Sequence, residues 1–117
     1  MLRIMMKSKI HNATVTQTNV NYRGSITIDS VLLKDADIFE GEKVQVVNVS
    51  NGSRIETYAI KGEANAGAIC MNGGAALHAK VGDNVLIISY CLADSKEAVA
   101  IKENVIIVDK ENKKVKK

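Results

Sequence analysis

Apolar and polar residues alternate in short runs along most of the chain, and turn-forming residues separate these runs. Side chains of a β-strand point alternately to its two faces, so such runs are typical of strands with one buried face. Asn12 is expected to separate the first two strands. The predicted strands cover residues 2–11, 13–18, 25–29, 43–49, 53–60, 84–91 and 104–108.

Turn and capping residues organise these strands. Asn51-Gly52 lies between two runs rich in Val and Ile, which predicts a β-hairpin with a primed turn. Asp29 or Ser30 is expected to cap a short helix that Gly41 ends.

Two more short helices are expected in the second half of the chain. The glycine-rich segment 71–76 leads into a helical turn that ends at His78, and Asp94 or Ser95 can cap another helix. No repeat, proline-rich linker or low-complexity segment divides the chain. Short strands and one-turn helices within one domain favour a small closed barrel, so the expected fold is mainly β.

Composition and charge indicate an aliphatic core and argue against one class of binding partner, nucleic acids. Hydrophobic residues make up 46% of the chain, but it has only 3 Tyr, 1 Phe and no Trp, so the core must be aliphatic. The net charge is +3, and residues 109–117 account for all of it with five Lys and two acidic residues. A neutral body argues against a nucleic-acid partner. Residues 110–117 are expected to form a basic, disordered tail.

The cysteines and the apolar runs indicate the cellular compartment of the protein. Cys70 and Cys91 are too few and too far apart for a metal knuckle or a redox pair, so buried, reduced thiols and no bound metal are expected. That usage suits the cytoplasm. The first residues lack the apolar stretch of a signal peptide, and no run approaches the length of a membrane span.

The dipeptide Gly24-Ser25 carries the candidate chemistry. Glycine can hold a strained turn, and the following hydroxyl can attack the Gly24 carbonyl to turn the amide into an ester. Elimination and hydrolysis would then leave a pyruvoyl group at the new chain end. Most Gly-Ser dipeptides are ordinary turns, so this reading depends on the residues elsewhere.

Two predicted strands present polar side chains together. Arg54, Glu56 and Tyr58 share one face of their strand, whereas Thr57 points to the other face. Lys9 and His11 likewise share a face of the first strand. The cations could equally be surface charges, and a single histidine is more often structural.

Five segments, in their order and spacing, resemble the bacterial aspartate 1-decarboxylase precursors. The resemblance extends from Met1 to about Asp109, and Gly74 differs from the alanine that is commoner there. The segments are Met5–His11, Tyr22–Ser25, Asn51–Tyr58, Asn72–Ala76 and Val81–Asp83.

The resemblance implies a mainly β fold, a small closed six-stranded double-psi β-barrel with short helices in a single domain of residues 1–109. It implies an enzyme, a carboxy-lyase that converts L-aspartate to β-alanine and CO2 for pantothenate and coenzyme A synthesis through a substrate–pyruvoyl imine. Self-cleavage would give a β chain, 1–24, and an α chain, 25–117. The assembly would be a cytoplasmic homotetramer with active sites between subunits, and a maturation factor is a further candidate partner.

The resemblance also assigns roles to individual residues. Ser25 would become the covalent pyruvoyl cofactor that forms the Schiff base, without metal or pyridoxal phosphate, and Tyr58 would donate a proton. Processing would involve Gly24, Ser25, Thr57 and Asn72. The substrate-binding residues would be Lys9, His11, Tyr22, Arg54, Thr57, Asn72, Gly73, Gly74 and Ala75.

Two other classes of protein remain open from the sequence. A small DNA-binding dimer built from swapped hairpins would fit the size and basic pI, although the neutral body argues against it. A structural subunit that has kept the fold but lost self-cleavage is the second alternative.

Overall fold

The computed structural model describes residues 1–115 and contains one mixed β-sheet with short helices. Among these residues the strands are β1 (Leu2–Thr14), β2 (Gln17–Asn19), β3 (Ser25–Asp29), β4 (Lys43–Asn48), β5 (Arg54–Gly62), β6 (Ile69–Asn72), β7 (Asn84–Asp94) and β8 (Asn104–Ile107). The helices are α1 (Ser30–Ala36), the 3₁₀ helix Gly73–His78 and α2 (Ser95–Ala100).

The strands pair in the order β2-β6-β3-β5-β4-β7-β1-β8. Strand β3 is parallel to β5 and antiparallel to β6, so it is paired along both edges. The prediction of a mainly β fold with short helices is confirmed. The sheet has eight strands where the resemblance implies six, and its closure into a double-psi barrel stays a prediction.

The core is aliphatic, as the composition predicts. Buried and more exposed residues alternate along β4 and along parts of β1 and β7, and every aromatic side chain is exposed to solvent. Burial of aliphatic area is the main source of stability for such a sheet. The largest buried side chains include Ile10, Ile26, Ile28, Leu32, Val44, Val46, Ile69, Met71, Val85 and Ile87.

The expected break at Asn12 is wrong, because β1 runs through it. The pairing of β1 with β7 shifts register between Ile10 and Ala13, and Asn12 has a φ of 68°. An extra residue in the left-handed conformation forms a bulge that a strand can absorb while its pairing continues. The strand therefore bends at Asn12 and does not end there.

The hairpin of β4 and β5 is confirmed, but its primed turn is wrong. Val47 pairs with Arg54, so the connection is longer than two residues. Gly52 has a φ of 82°, whereas Asn51 is not among the residues with positive φ. The Asn48 side-chain oxygen accepts hydrogen bonds from the backbone N–H groups of Ser50 and Asn51, at 2.9 and 3.2 Å, and so organises the wider loop.

Both capped helices form where the sequence places them. Asp29 caps α1, and Asp94 caps α2 through a capping box with Glu97. The first helix ends at Asp37, which has a φ of 57°, and not at Gly41 as expected. Asp37 adopts the left-handed conformation that glycine usually supplies at a helix end. None of the helices within residues 1–115 has the length and apolar character that crossing a membrane requires.

The start of the basic C-terminal segment is folded against the body. Asn112 is 1% exposed, and its side chain hydrogen-bonds to the backbone of Thr14 (2.8 and 2.9 Å) and Gly67 (2.8 Å). Residues 109–115 thus contain a turn that packs against the body, and the disorder expected of the tail stays a prediction. The rest of that tail, residues 116–117, lies outside the described residues.

Candidate active site

Ser25 lies at the first position of β3, between an exposed turn and the buried sheet. Its side chain is fully buried, whereas Gly24 is exposed. Ser25 pairs with Asn72 on β6, and the next residue, Ile26, pairs with Ala59 on β5. The Gly24–Ser25 bond therefore joins a solvent-accessible turn to the start of a strand that is paired along both edges.

The Ser25 hydroxyl is fixed by two hydrogen bonds. Its Oγ donates to the Arg23 carbonyl oxygen at 3.1 Å and accepts from Asn72 Nδ2 at 3.0 Å. A serine hydroxyl has one hydrogen to donate, so the bond to Arg23 leaves the oxygen as the acceptor for Asn72. A buried, oriented hydroxyl thus lies beside the backbone that precedes it.

Thr27 belongs to the same network, although the sequence analysis did not single it out. Asn72 Nδ2 also donates to Thr27 Oγ1, at 2.9 Å. Ser25 and Thr27 are two residues apart on one strand and therefore share a face. That spacing of two hydroxyl residues is the sequence signal that could have revealed Thr27.

Gly73 packs directly against the turn that leads to Ser25. It has a φ of 58°, and an ideal Cβ on it would lie 2.5 Å from the Gly24 nitrogen and 2.7 Å from the Tyr22 carbonyl oxygen. Only glycine fits such an approach and such a φ at low cost. At Gly74 a Cβ would meet no atom within 4 Å, so the two adjacent glycines differ in what they allow.

An open cleft of about 690 Å³ lies over this turn. Its walls come from the turn before β3, from β5 and from the 3₁₀ helix after β6, which the pairing of β3 with both β5 and β6 brings together. It contains predicted site residues and also four residues without a predicted role in the site, namely Ile55, Glu56, Leu77 and His78. The predicted residues in its lining are Gly24, Thr57, Tyr58, Gly74 and Ala75.

The 3₁₀ helix wall is tied to the hairpin loop. The His78 carbonyl oxygen accepts hydrogen bonds from Asn48 Nδ2 (3.2 Å), Asn51 Nδ2 (2.9 Å) and Ser53 Oγ (3.3 Å). Asn48 Nδ2 also donates to Asp83 at 2.8 Å, and this hydrogen bond lowers the pKa of the Asp83 carboxyl group. These hydrogen bonds fix the end of the 3₁₀ helix, which forms one wall of the cleft, to the hairpin loop.

Arg54 lies on the predicted face of β5 but outside the cleft lining. Arg54, Glu56 and Tyr58 are exposed, whereas Thr57 is half-buried, as the alternation predicts. The Arg54 guanidinium Nη1 donates to Gln45 Oε1 at 2.8 Å, and the Tyr90 hydroxyl donates to the same oxygen at 2.8 Å. Arg54 is therefore held at the exposed surface of the chain.

Five other predicted substrate-binding residues are also outside the lining, namely Lys9, His11, Tyr22, Asn72 and Gly73. Lys9 and His11 lie on β1, and β7, β4 and β5 separate that strand from β3 in the pairing order. Tyr22 lies in the exposed turn, with its backbone oxygen next to Gly73. The single chain thus brings together the predicted processing residues but not the predicted cations.

Asp29, at the other end of β3, has a structural role. Burial alone raises the pKa of its carboxyl group, but hydrogen bonds from the backbone N–H groups of Gly67, Val31 and Asn65, with the charge of Lys113, outweigh that effect. The pKa therefore lies below its ordinary value of 3.8. The ionised carboxylate links α1 to the loop between β5 and β6.

Metal ligands are not grouped anywhere in the part of the chain that the structure describes. Among residues 1–115, no three His, Cys, Asp or Glu side chains are placed to hold a metal ion.

Comparison with known proteins identifies one family. The sequence model of the aspartate decarboxylase family matches residues 1–115. An aspartate 1-decarboxylase of Thermoanaerobacter pseudethanolicus is 56% identical over 115 residues, which cover 98% of each chain. Those of Caldicellulosiruptor bescii and Listeria innocua are 55% and 53% identical over 112 residues, covering 96% of this chain and 88% of theirs.

Proposed function

The chain belongs to the aspartate decarboxylase family, and we propose that it cleaves itself at Gly24–Ser25 and then converts L-aspartate to β-alanine and CO2. The observation that carries the proposal is the buried Ser25 hydroxyl, held by Asn72 at 3.0 Å beside the Gly24 backbone. Family membership removes the DNA-binding alternative. The alternative of a subunit that no longer cleaves itself is decided by the experiment below.

Cleavage begins with the Ser25 hydroxyl. It leaves the Arg23 carbonyl oxygen and attacks the Gly24 carbonyl carbon, so that an ester C–O bond replaces the amide C–N bond and the proton passes to nitrogen. Elimination then removes the α-hydrogen of residue 25, breaks its Cβ–Oγ bond and releases Gly24 as a carboxylate. Water displaces the nitrogen as ammonia, which leaves a pyruvoyl group on residue 25.

The residues around the bond have separate tasks in this sequence. Asn72 orients the attacking oxygen, and Gly73 lets the turn approach closely enough for attack. Thr57, which lines the cleft together with Gly24, polarises the Gly24 carbonyl. Hydrogen-bond donors directed at a developing oxyanion are among the strongest catalytic contributions.

The surroundings of Ser25 fit a pyruvoyl group. Pairing with β5 and β6 fixes the new chain end, and Asn72 provides an amide donor beside it. The group supplies a carbonyl that takes up the electrons left when CO2 departs, the task that pyridoxal phosphate has in other decarboxylases. Tyr58 in the cleft wall returns a proton to the carbon that lost CO2.

The cleft of one subunit lacks the cations that a dicarboxylate needs. Among the described residues that line it, Glu56 is acidic and none is Lys or Arg. We therefore infer that the neighbouring subunit of a homotetramer supplies Lys9, His11 and Arg54, while Tyr22 of the exposed turn completes the pocket. Arginine suits this role because its planar fork binds a carboxylate through two hydrogen bonds.

The cellular setting follows from the proposed activity. β-Alanine serves pantothenate and coenzyme A synthesis in the cytoplasm, and a maturation factor is a candidate partner in cleavage. The two free cysteines, Cys70 and Cys91, are consistent with a reducing compartment.

The test is a mass measurement under denaturing conditions, combined with an assay for β-alanine. Cleavage of the 117-residue chain predicts fragments of 24 and 93 residues (117 − 24 = 93), the larger one blocked by a ketone that reacts with hydroxylamine. Ser25→Ala is the control and should remain a single chain without activity. Active wild-type protein with an intact chain or an ordinary amine at residue 25 would refute the proposal.

A further inference from the structure

The side chain of Asn72 uses both of its amide hydrogens on hydroxyl groups of β3. One hydrogen goes to Ser25 Oγ at 3.0 Å and the other to Thr27 Oγ1 at 2.9 Å. Asn72 is only 4% exposed, so an amide hydrogen that lost its acceptor would have no ready access to water. Two acceptors fix the plane of an amide, whereas one leaves it free to rotate about the remaining bond.

Cleavage, on the function proposed above, removes one of the two acceptors. The Ser25 Oγ atom leaves with Gly24 as a carboxylate oxygen, and the Cβ of residue 25 becomes a methyl carbon. Asn72 then has one amide hydrogen free for an oxygen atom at the new chain end or on the substrate. Thr27 keeps the other hydrogen bond, because the reaction does not alter its hydroxyl.

We propose that Thr27 is a positioning residue, whose hydroxyl holds the Asn72 amide in place in the precursor and, alone, in the cleaved enzyme. Thr27 acts through Asn72 and does not itself touch the reacting atoms. Its effect should therefore be larger after cleavage, when Ser25 no longer shares the task.

Thr27→Val tests this role. Valine keeps the methyl group that packs near Gly62, where the Thr27 Cγ2 atom lies 3.1 Å from an ideal Cβ, and removes only the hydroxyl. We expect kcat per ketone-bearing site to fall about five- to a hundredfold, the equivalent of leaving one buried donor unsatisfied. Cleavage should slow less, and KM should change less than kcat.

Thr27→Ser is the matched variant, since it restores the hydroxyl and removes the methyl group. It should recover most of the lost kcat although it is no more stable than Thr27→Val. Normal kcat in Thr27→Val, or equal losses in Thr27→Val and Thr27→Ser, would overturn the proposal. If Thr27→Val does not fold, Thr27→Ala against Thr27→Ser gives the same comparison.

Failure of this inference is distinguishable from failure of the proposed function. If the wild-type chain carries no ketone and makes no β-alanine, the proposed function is wrong. If the wild type is cleaved and active and Thr27→Val equals it per site, only the role of Thr27 is wrong.

Discussion

Gly73 lies so close to Gly24 that a methyl group on Gly73 would come within 2.5 Å of the Gly24 backbone nitrogen. The contact joins the start of the 3₁₀ helix to the residue on the N-terminal side of the bond that we expect to break. Since Gly73 also has a φ of 58°, both sterics and backbone conformation require glycine there. The neighbouring Gly74 has open space around it and serves as its control.

Gly73→Ala should impair self-cleavage, because the added methyl group would displace the turn before Ser25 and strain the backbone. A strained position of this kind costs about 1–3 kcal/mol, so cleavage should slow by about tenfold or more. Gly74→Ala should cleave within about twofold of wild type, given that a Cβ there meets no atom within 4 Å. Denaturing mass spectrometry over time measures both rates, and equal rates would contradict the packing argument.

Tyr58→Phe should still cleave itself but should turn over slowly. Loss of a general acid typically costs ~10²–10⁴ in rate. Tyr90→Phe is a matched control for kcat, because Tyr90 is 39% exposed, close to the 40% of Tyr58, and lies outside the cleft. Its hydroxyl donates to the Gln45 oxygen that also accepts from Arg54, so any effect of its loss should be on KM. The measurement is the steady-state rate per ketone-bearing site of both variants and the wild type. Normal turnover of fully cleaved Tyr58→Phe would exclude the proton-donor role of Tyr58.

Arg54→Ala should lower kcat/KM by roughly 30-fold to several-thousand-fold, the equivalent of about 2–5 kcal/mol for removing one partner of a buried charge pair. Arg54→Lys should also be impaired, since a point charge cannot copy the planar fork. Lys61→Ala removes an exposed cation from the same strand and should leave kcat/KM nearly unchanged. A value for Arg54→Ala within threefold of wild type would rule out substrate binding by Arg54.

Asp29→Asn should destabilise the fold at neutral pH and matter less in acid. The pKa of Asp29 is lowered in the folded chain, so its stabilising effect is complete above the ordinary value of 3.8 and is lost as the pH falls through the folded-state pKa. Asparagine keeps the cap of α1 but presents N–H groups where Gly67 donates at 2.8 Å. The expected loss is about 1–3 kcal/mol at pH 7.

Asp94→Asn is the control for Asp29→Asn, because Asp94 caps α2 from an exposed position and asparagine caps helices about as well as aspartate. Urea unfolding at several pH values measures both variants. A destabilisation by Asp29→Asn that persists unchanged below the folded-state pKa would show that the carboxylate charge is not its cause.

The local sequence pattern predicted those strands and helix ends that are determined by residues close together in the sequence. The alternation of β4 and β5, the caps at Asp29 and Asp94, and the aliphatic core all follow from residue type and spacing. The predicted strand break at Asn12 and the predicted helix end at Gly41 were wrong. In both cases a residue other than glycine, Asn12 or Asp37, adopts a positive φ that neighbouring parts of the structure stabilise. At Asn12 this stabilisation comes from the pairing of β1 with β7, which the local sequence pattern does not reveal.

The candidate site was predictable in its residue types but not in its contacts. Family resemblance named Ser25 and Asn72, yet their hydrogen bond spans 47 positions and depends on antiparallel pairing of β3 with β6. Thr27 was missed because a threonine in a strand usually needs no explanation beyond its β-propensity. Lys9 and His11 are far from Ser25 in the pairing order, so their predicted role depends on a second subunit.

The long pairing of β1 has a consequence for what maturation produces. This strand lies in the fragment before Gly24, and it is held by β7 on one edge and β8 on the other, both from the larger fragment. A cut after Gly24 would therefore turn a single polypeptide into a tightly bound heterodimer whose smaller member cannot diffuse away. Once denatured, the two pieces would have to find each other again, so recovery of the fold would depend on concentration, whereas that of the uncut precursor subunit would not.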